Sequence, residues 1–165
     1  MNIFDNYTKD VVIALNEANV KYMVVGGYAV NFHGYHRGTG DIDLWIEPTN
    51  ENKDKITNAL KILNIDDEVI NLIKTFDFTK PIVFSDGEVP FKIDFMTYVS
   101  HVNFEEAWLQ KIDTEIDTIS ISFINLNHLV ISKFNTGRLK DKADRRITKN
   151  PKAQKIILTS ASFLS

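Results

Sequence analysis

The sequence predicts an α/β fold, with strands and helices interleaved along the chain, and three observations carry that expectation. Short apolar or alternating runs that end in glycine or proline read as strands, and stretches with apolar residues at helical spacing lie between them. No repeat, low-complexity tract or linker divides the 165 residues. With 44% hydrophobic and 25% charged residues the composition is that of an ordinary globular protein. One domain over 1–165 is the simplest organisation.

In chain order, the first helix is expected over 8–18, capped by Asn6 or a neighbour, with Val11, Val12, Ala14 and Leu15 on one stripe. Residues 22–25 form a short apolar strand that stops at Gly26-Gly27. After a turn, 28–32 favour a short helix closed by Gly34, and 35–40 a loop rich in glycine and polar groups. The next strand is 42–46, ended by Glu47-Pro48, and Thr49 caps a helix to about residue 63 with Ile56, Leu60 and Leu63 inward. A short helix is expected within 66–76. Residues 82–84 and 91–95 read as two strands joined through Ser85-Asp86-Gly87, a hairpin turn signal. Beyond them 104–110 is helical and 118–124 alternates like a strand. Asn127 caps an amphipathic helix through 134 that Gly137 interrupts, and a basic final helix and a mostly polar tail follow.

Bulk properties narrow the function. A net charge of −3 supplies no global positive field to draw the chain onto a phosphate backbone. The absence of cysteine removes disulfides, thiolate nucleophiles and zinc-cysteine sites, and fits a reducing compartment. The first residues lack the pattern of a secretory signal, and no apolar run approaches the ~20 residues of a membrane span. A cytoplasmic protein with no membrane contact is expected.

The stretch Asp41-Ile-Asp-Leu-Trp-Ile carries the most chemistry. In a strand, residues i and i+2 share a face, so Asp41 and Asp43 stand together while Ile42 and Leu44 face the core. Two adjacent like charges call for a counter-charge. Mg²⁺ supplies one, because it prefers hard oxygen ligands, usually one or two carboxylates with substrate phosphates. In Phe91-Lys-Ile-Asp-Phe the apolar residues alternate with Lys92 and Asp94, which makes Asp94 the candidate third acid of a two-metal phosphoryl-transfer site. Gly26-Gly27, at a strand end and ahead of a helix, would let a triphosphate approach bare backbone. Arg37 could grip a phosphate bidentately beside the metals.

Taken together, Val24-Val-Gly-Gly-Tyr-Ala-Val, Arg37-Gly-Thr-Gly-Asp-Ile-Asp-Leu and Ile93-Asp-Phe resemble the polymerase-beta type nucleotidyltransferase superfamily over 22–98. The wording is similar to two bacterial branches, the AbiEii-like toxin nucleotidyltransferases and the small lincosamide nucleotidyltransferases. The resemblance implies a nucleotidyltransferase fold, α/β or α+β, with a mixed sheet flanked by helices. It implies NTP as substrate and Mg²⁺ or Mn²⁺ on Asp41, Asp43 and Asp94, with Asp94 as general base. It places the nucleotide phosphates on Gly26 and Gly27, with Arg37 and Thr39 of the same motif beside them. A basic stretch from Lys133 to Asp144 is similar to one in the toxin-like branch, and Lys133, Arg138 and Lys140 lie close enough in sequence to converge on phosphate. This basic helical segment is expected over 125–150.

Gly-Gly departs from the commoner Gly-Ser and removes a hydroxyl from the phosphate site. Brevity is a second departure: no large helical substrate domain is expected after Asp144, so the acceptor pocket calls for a partner subunit, in a homodimer or with an antitoxin. The function implied is transfer of a nucleoside monophosphate from NTP to a hydroxyl or phosphate acceptor with pyrophosphate release. The acceptor would be a small molecule such as an antibiotic, a tRNA end or a protein, and the protein a toxin of a toxin-antitoxin system or an antibiotic-modifying enzyme. The alternative is a catalytically lapsed nucleotide-binding module of such a complex. Trp45 and Trp108 read as core or interface residues and His33 and His36 as phosphate or backbone contacts outside the metal site, while Tyr28 and Tyr35 are the stacking candidates.

Overall fold

A computed structural model describes residues 4–134, apart from 37, 39, 89 and 91. The expected basic final helix, Gly137, Arg138 and Lys140 lie outside the described residues, as do Arg37 and Thr39. The elements are α1 (Asn6–Glu17), β1 (Tyr22–Val25), α2 (Gly26–Phe32), β2 (Ile42–Ile46), α3 (Asn50–Ile62), α4 (Asp67–Lys74), β3 (Val83–Asp86), β4 (Ile93–Met96), α5 (Phe104–Leu109), β5 (Ile112–Ile116), β6 (Ile119–Phe123) and α6 (Leu126–Ser132). No helix among the described residues is long and apolar enough to cross a membrane.

The strands form one six-stranded mixed sheet in the order β3-β4-β2-β1-β6-β5. β1 runs antiparallel to β2 and parallel to β6, β2 runs parallel to β4, and antiparallel pairs β3–β4 and β5–β6 close the two edges. Position in the sheet explains the residue pattern. All four residues of the central β1 are buried, so it reads as a continuous apolar run, whereas β2 buries Ile42, Leu44, Trp45 and Ile46 and leaves Asp43 half-buried. On the face of Ile42 and Leu44, register partners Ile93 and Phe95 extend the core, and Phe84 stacks on Phe95 with ring centroids 4.9 Å apart. On the other face the Trp45 indole N–H donates to the Thr97 carbonyl at 3.3 Å and its ring meets Phe104 edge-on. Trp45 is therefore core, and Trp108, stacked on Phe104, extends the same aromatic cluster.

One buried side chain ties the central strands to α3. Asn52 accepts from the Lys21 N–H at 2.9 Å and donates to the Lys21 and Glu47 carbonyls at 3.0 and 3.2 Å, joining the entry of β1 to the exit of β2.

Several expectations are corrected. The first helix is capped by Asp5, whose side chain accepts from the Thr8 N–H, and starts at Asn6. No turn separates β1 from α2, because the helix opens directly at Gly26. Ser85 and Asp86 belong to β3 itself, so the connection to β4 begins only at Gly87. Asn125, not Asn127, caps α6 by accepting from the His128 N–H. In each cap two short polar residues competed within a few positions, and the one whose side chain reaches the third N–H onward prevails. Strand β5 was not expected: Ile-Asp-Thr-Glu-Ile lies at the sheet edge with mostly exposed side chains and has little apolar signal.

Candidate active site

Strand register brings two of the predicted acids together. Asp43 is the partner of Asp94 across the parallel β2–β4 pair, of Val25 across β1, and Asp94 in turn faces Ser85 of β3. Partnered residues share a face, so Val25, Asp43, Asp94 and Ser85 form one row across four strands. Asp41 directly precedes β2 instead of lying within it.

The row is held by polar contacts. The Ser85 hydroxyl donates to Asp94 Oδ1 at 2.5 Å, and the Lys92 ammonium stands 3.1 Å from the same oxygen. The hydrogen bond from Lys92 to Asp94 and the charge of that carboxylate hold the Lys92 ammonium above its ordinary range, and the charges of Asp41 and Asp43 act in the same direction. All three acids therefore sit within one electrostatic neighbourhood. The Tyr28 hydroxyl is pushed up chiefly by burial and then by the charges of Asp5 and Asp41, while its ring packs against Phe4 at 5.4 Å. This contact places Tyr28 against the core cluster.

Gly26 closes against this row. Its φ is +63°, a left-handed conformation that disfavours any side chain. A Cβ there would fall on Asp43 Oδ2 and lie 2.9 Å from Asp43 Cγ. The absence of a side chain at 26 is thus what lets the carboxylate of Asp43 stand beside the first turn of α2. Gly27, by contrast, is buried within α2 and does not line the cleft.

Gly26, Asp43, Asp94 and Lys133 line one cleft of about 540 Å³ together with Val83, Met96 and Tyr98. Lys133 arrives from the end of α6, where it is the C-cap residue. The structure therefore assembles Gly26, Asp43, Asp94 and Lys133, leaves Asp41 at the margin, and buries Gly27. His33 contacts the Ile124 carbonyl through Nε2 at 2.8 Å, a backbone tie between α2 and the end of β6, and His36 is exposed.

Among the described residues no group of three or more histidine or acidic side chains is arranged to hold a metal. What is present is a pair of hard oxygen donors, Asp43 and Asp94, beside a glycine that leaves room and a lysine that completes the cleft. That donor set fits Mg²⁺ or Mn²⁺ bound jointly with substrate phosphates, the usual Mg²⁺ arrangement. Ser85 has the local pattern of a turn and Tyr98 carries no motif, so nothing in the sequence marks either for the site. Lys92 did signal itself through its alternation with Asp94.

Residues 4–149 match the family described as "Nucleotidyltransferase of unknown function (DUF6036)". Among solved structures, the solution structure of the antibiotic-resistance factor ANT(2'')-Ia is similar, with a TM-score of 0.57 and 13% identity over 94% of this chain and 88% of that one. At that identity the likeness speaks to the fold alone. No curated protein matches the chain.

Proposed function

The chain belongs to the nucleotidyltransferase family described as DUF6036, and from that membership we propose that it transfers a nucleoside monophosphate from an NTP, with Mg²⁺, to a hydroxyl or phosphate acceptor. The observation that carries the reading is the register pairing of Asp43 with Asp94 in a cleft bordered by Gly26 and Lys133. Mg²⁺ or Mn²⁺ held there would polarise the transferring phosphoryl group and offset charge on the leaving pyrophosphate.

The chain's own groups take the remaining roles. Asp43 and Asp94 offer carboxylate oxygens, and Asp41 adds negative potential from the margin. Gly26 admits the phosphates close to the backbone of α2. The Lys133 ammonium pairs with phosphate oxygens. Asp94, the register partner of Asp43, would take the proton of the attacking hydroxyl. The structural neighbour is an antibiotic-resistance factor, which makes a small hydroxylated molecule the first acceptor to try.

The test is release of pyrophosphate from each of the four NTPs with Mg²⁺, against panels of small hydroxylated molecules, tRNA and proteins. Release that needs both metal and one acceptor class, and that disappears in Asp43→Asn, supports the proposal. Unchanged release in Asp43→Asn refutes the mechanism, and NTP binding with no release on any panel points instead to a lapsed binding module.

A further inference from the structure

The carboxylate pair has a resident cation. Lys92 lies one residue before β4, and its backbone carbonyl accepts from the Ile42 N–H at 3.1 Å, which fixes it beside the start of β2. From there its ammonium reaches Asp94 Oδ1 at 3.1 Å, the oxygen that also takes the Ser85 hydroxyl. The charges of Asp41 and Asp43 reach the same ammonium. Its side chain is 36% exposed, and Asp94 only 16%. The lysine thus leans on the site from the solvent side, and its flexible stem can swing the charge back into water with little loss of packing.

A divalent ion and an ammonium compete for the same negative charge. We propose that Lys92 is a positioning residue, whose ammonium holds Asp94 in the metal-free site and yields it when a divalent ion loads. This rests on the reading of Asp43 and Asp94 as metal ligands. Lys92 then does two things. It relieves repulsion among Asp41, Asp43 and Asp94 before loading, and it weakens metal binding so that the ion is held firmly only once a triphosphate adds its own oxygens. With the ammonium groups of Lys92 and Lys133 against the carboxylates of Asp41, Asp43 and Asp94, the site keeps a net negative charge, so the ion is still attracted.

The test is titration with Mn²⁺ alone, read by the electron paramagnetic resonance signal of free Mn²⁺, on the wild type, Lys92→Met, Lys92→Arg and Asp43→Asn, each checked by thermal melting with and without metal. Lys92→Met should bind Mn²⁺ about tenfold more tightly, the lower end of what an opposite charge at this distance does to a carboxylate equilibrium. It should also melt lower than the wild type without metal and gain more from Mn²⁺. Lys92→Arg should behave as the wild type, because it keeps the charge. Should Lys92→Met fold poorly, Lys92→Gln serves in its place, since it too removes the charge and keeps a polar tip. Equal or weaker Mn²⁺ binding in the neutral variants, with binding abolished in Asp43→Asn, overturns the role of Lys92 and leaves the metal reading intact. Absence of Mn²⁺ binding in the wild type and in every variant overturns both.

Discussion

Replacement of Gly26 by alanine tests the geometry on which the site depends. At φ +63° an L-residue carries a penalty of roughly 1–2 kcal/mol. The added methyl would also fall on Asp43 Oδ2, with Asp43 Cγ at 2.9 Å and Cβ at 3.2 Å. The collision at Oδ2 and Cγ requires Asp43 to leave its rotamer, and the tight approach to Cβ, which is fixed to β2, asks only a further shift of a few tenths of an ångström. Forcing Asp43 away from its rotamer adds about 0.5–1.5 kcal/mol. Alanine restricts the unfolded chain and returns about 0.4–1 kcal/mol, so the net loss is about 2 kcal/mol, or ~4–8 °C in melting temperature. Gly34→Ala is the control. Its φ is +92°, but no atom lies within 4 Å of the added methyl, so it carries backbone strain without the collision. The assay is urea unfolding of both variants together with Mn²⁺ titration. Gly26→Ala should lose more stability than Gly34→Ala and should alone lose metal binding. Equal stabilities and unchanged Mn²⁺ affinity in Gly26→Ala would refute the claim that Gly26 shapes the Asp43 site.

Three other outcomes follow from the same structure. Asn52→Ala orphans the Lys21 N–H, takes a second hydrogen bond from the Lys21 and Glu47 carbonyls, which keep those from the Glu47 and Thr49 N–H groups, and leaves a cavity, and should cost about 1–3 kcal/mol in denaturant unfolding. Lys133→Met should weaken NTP binding about 10–100-fold, as expected for loss of a charge-assisted hydrogen bond to phosphate, with a smaller ionic-strength dependence by calorimetry. His128 is held below its ordinary range by burial, opposed by the charge of Glu106, and its Nδ1 has no hydrogen-bond partner. The unfolded chain therefore binds a proton that the folded one refuses, so stability is complete above the unfolded value of about 6.5 and declines as pH falls below it. Urea midpoints at neutral and acidic pH should show this decline, reduced in His128→Leu.

The acidic strand was legible because alternation is a local signal: Ile42 and Leu44 go inward, and Asp43 cannot. The same logic placed Asp94 opposite Ile93 and Phe95. Their mutual approach was not legible from periodicity, since the partnership of Asp43 with Asp94 is a register between strands some fifty residues apart, decided by packing across the sheet. Gly26 and Gly27 look alike in sequence, yet only the first meets the cleft, because the direct passage from β1 into α2 turns the second inward. Lys133 reaches the cleft through the docking of α6, which no local pattern encodes. β5 escaped notice for the opposite reason: an exposed edge strand needs no apolar face.

In the proposed function Asp43 and Asp94 jointly hold a divalent ion against nucleotide phosphate. The most direct measurement is a crystal structure with Mn²⁺ and a non-hydrolysable NTP, read in anomalous difference density. A Mn²⁺ peak is expected between carboxylate oxygens of Asp43 and Asp94 and the phosphates, at about 2.0–2.2 Å, close to the distances of Mg²⁺, with Lys133 on the phosphates and Lys92 withdrawn from Asp94. A nucleotide bound elsewhere, or bound in this cleft with no metal between the two aspartates, would contradict it.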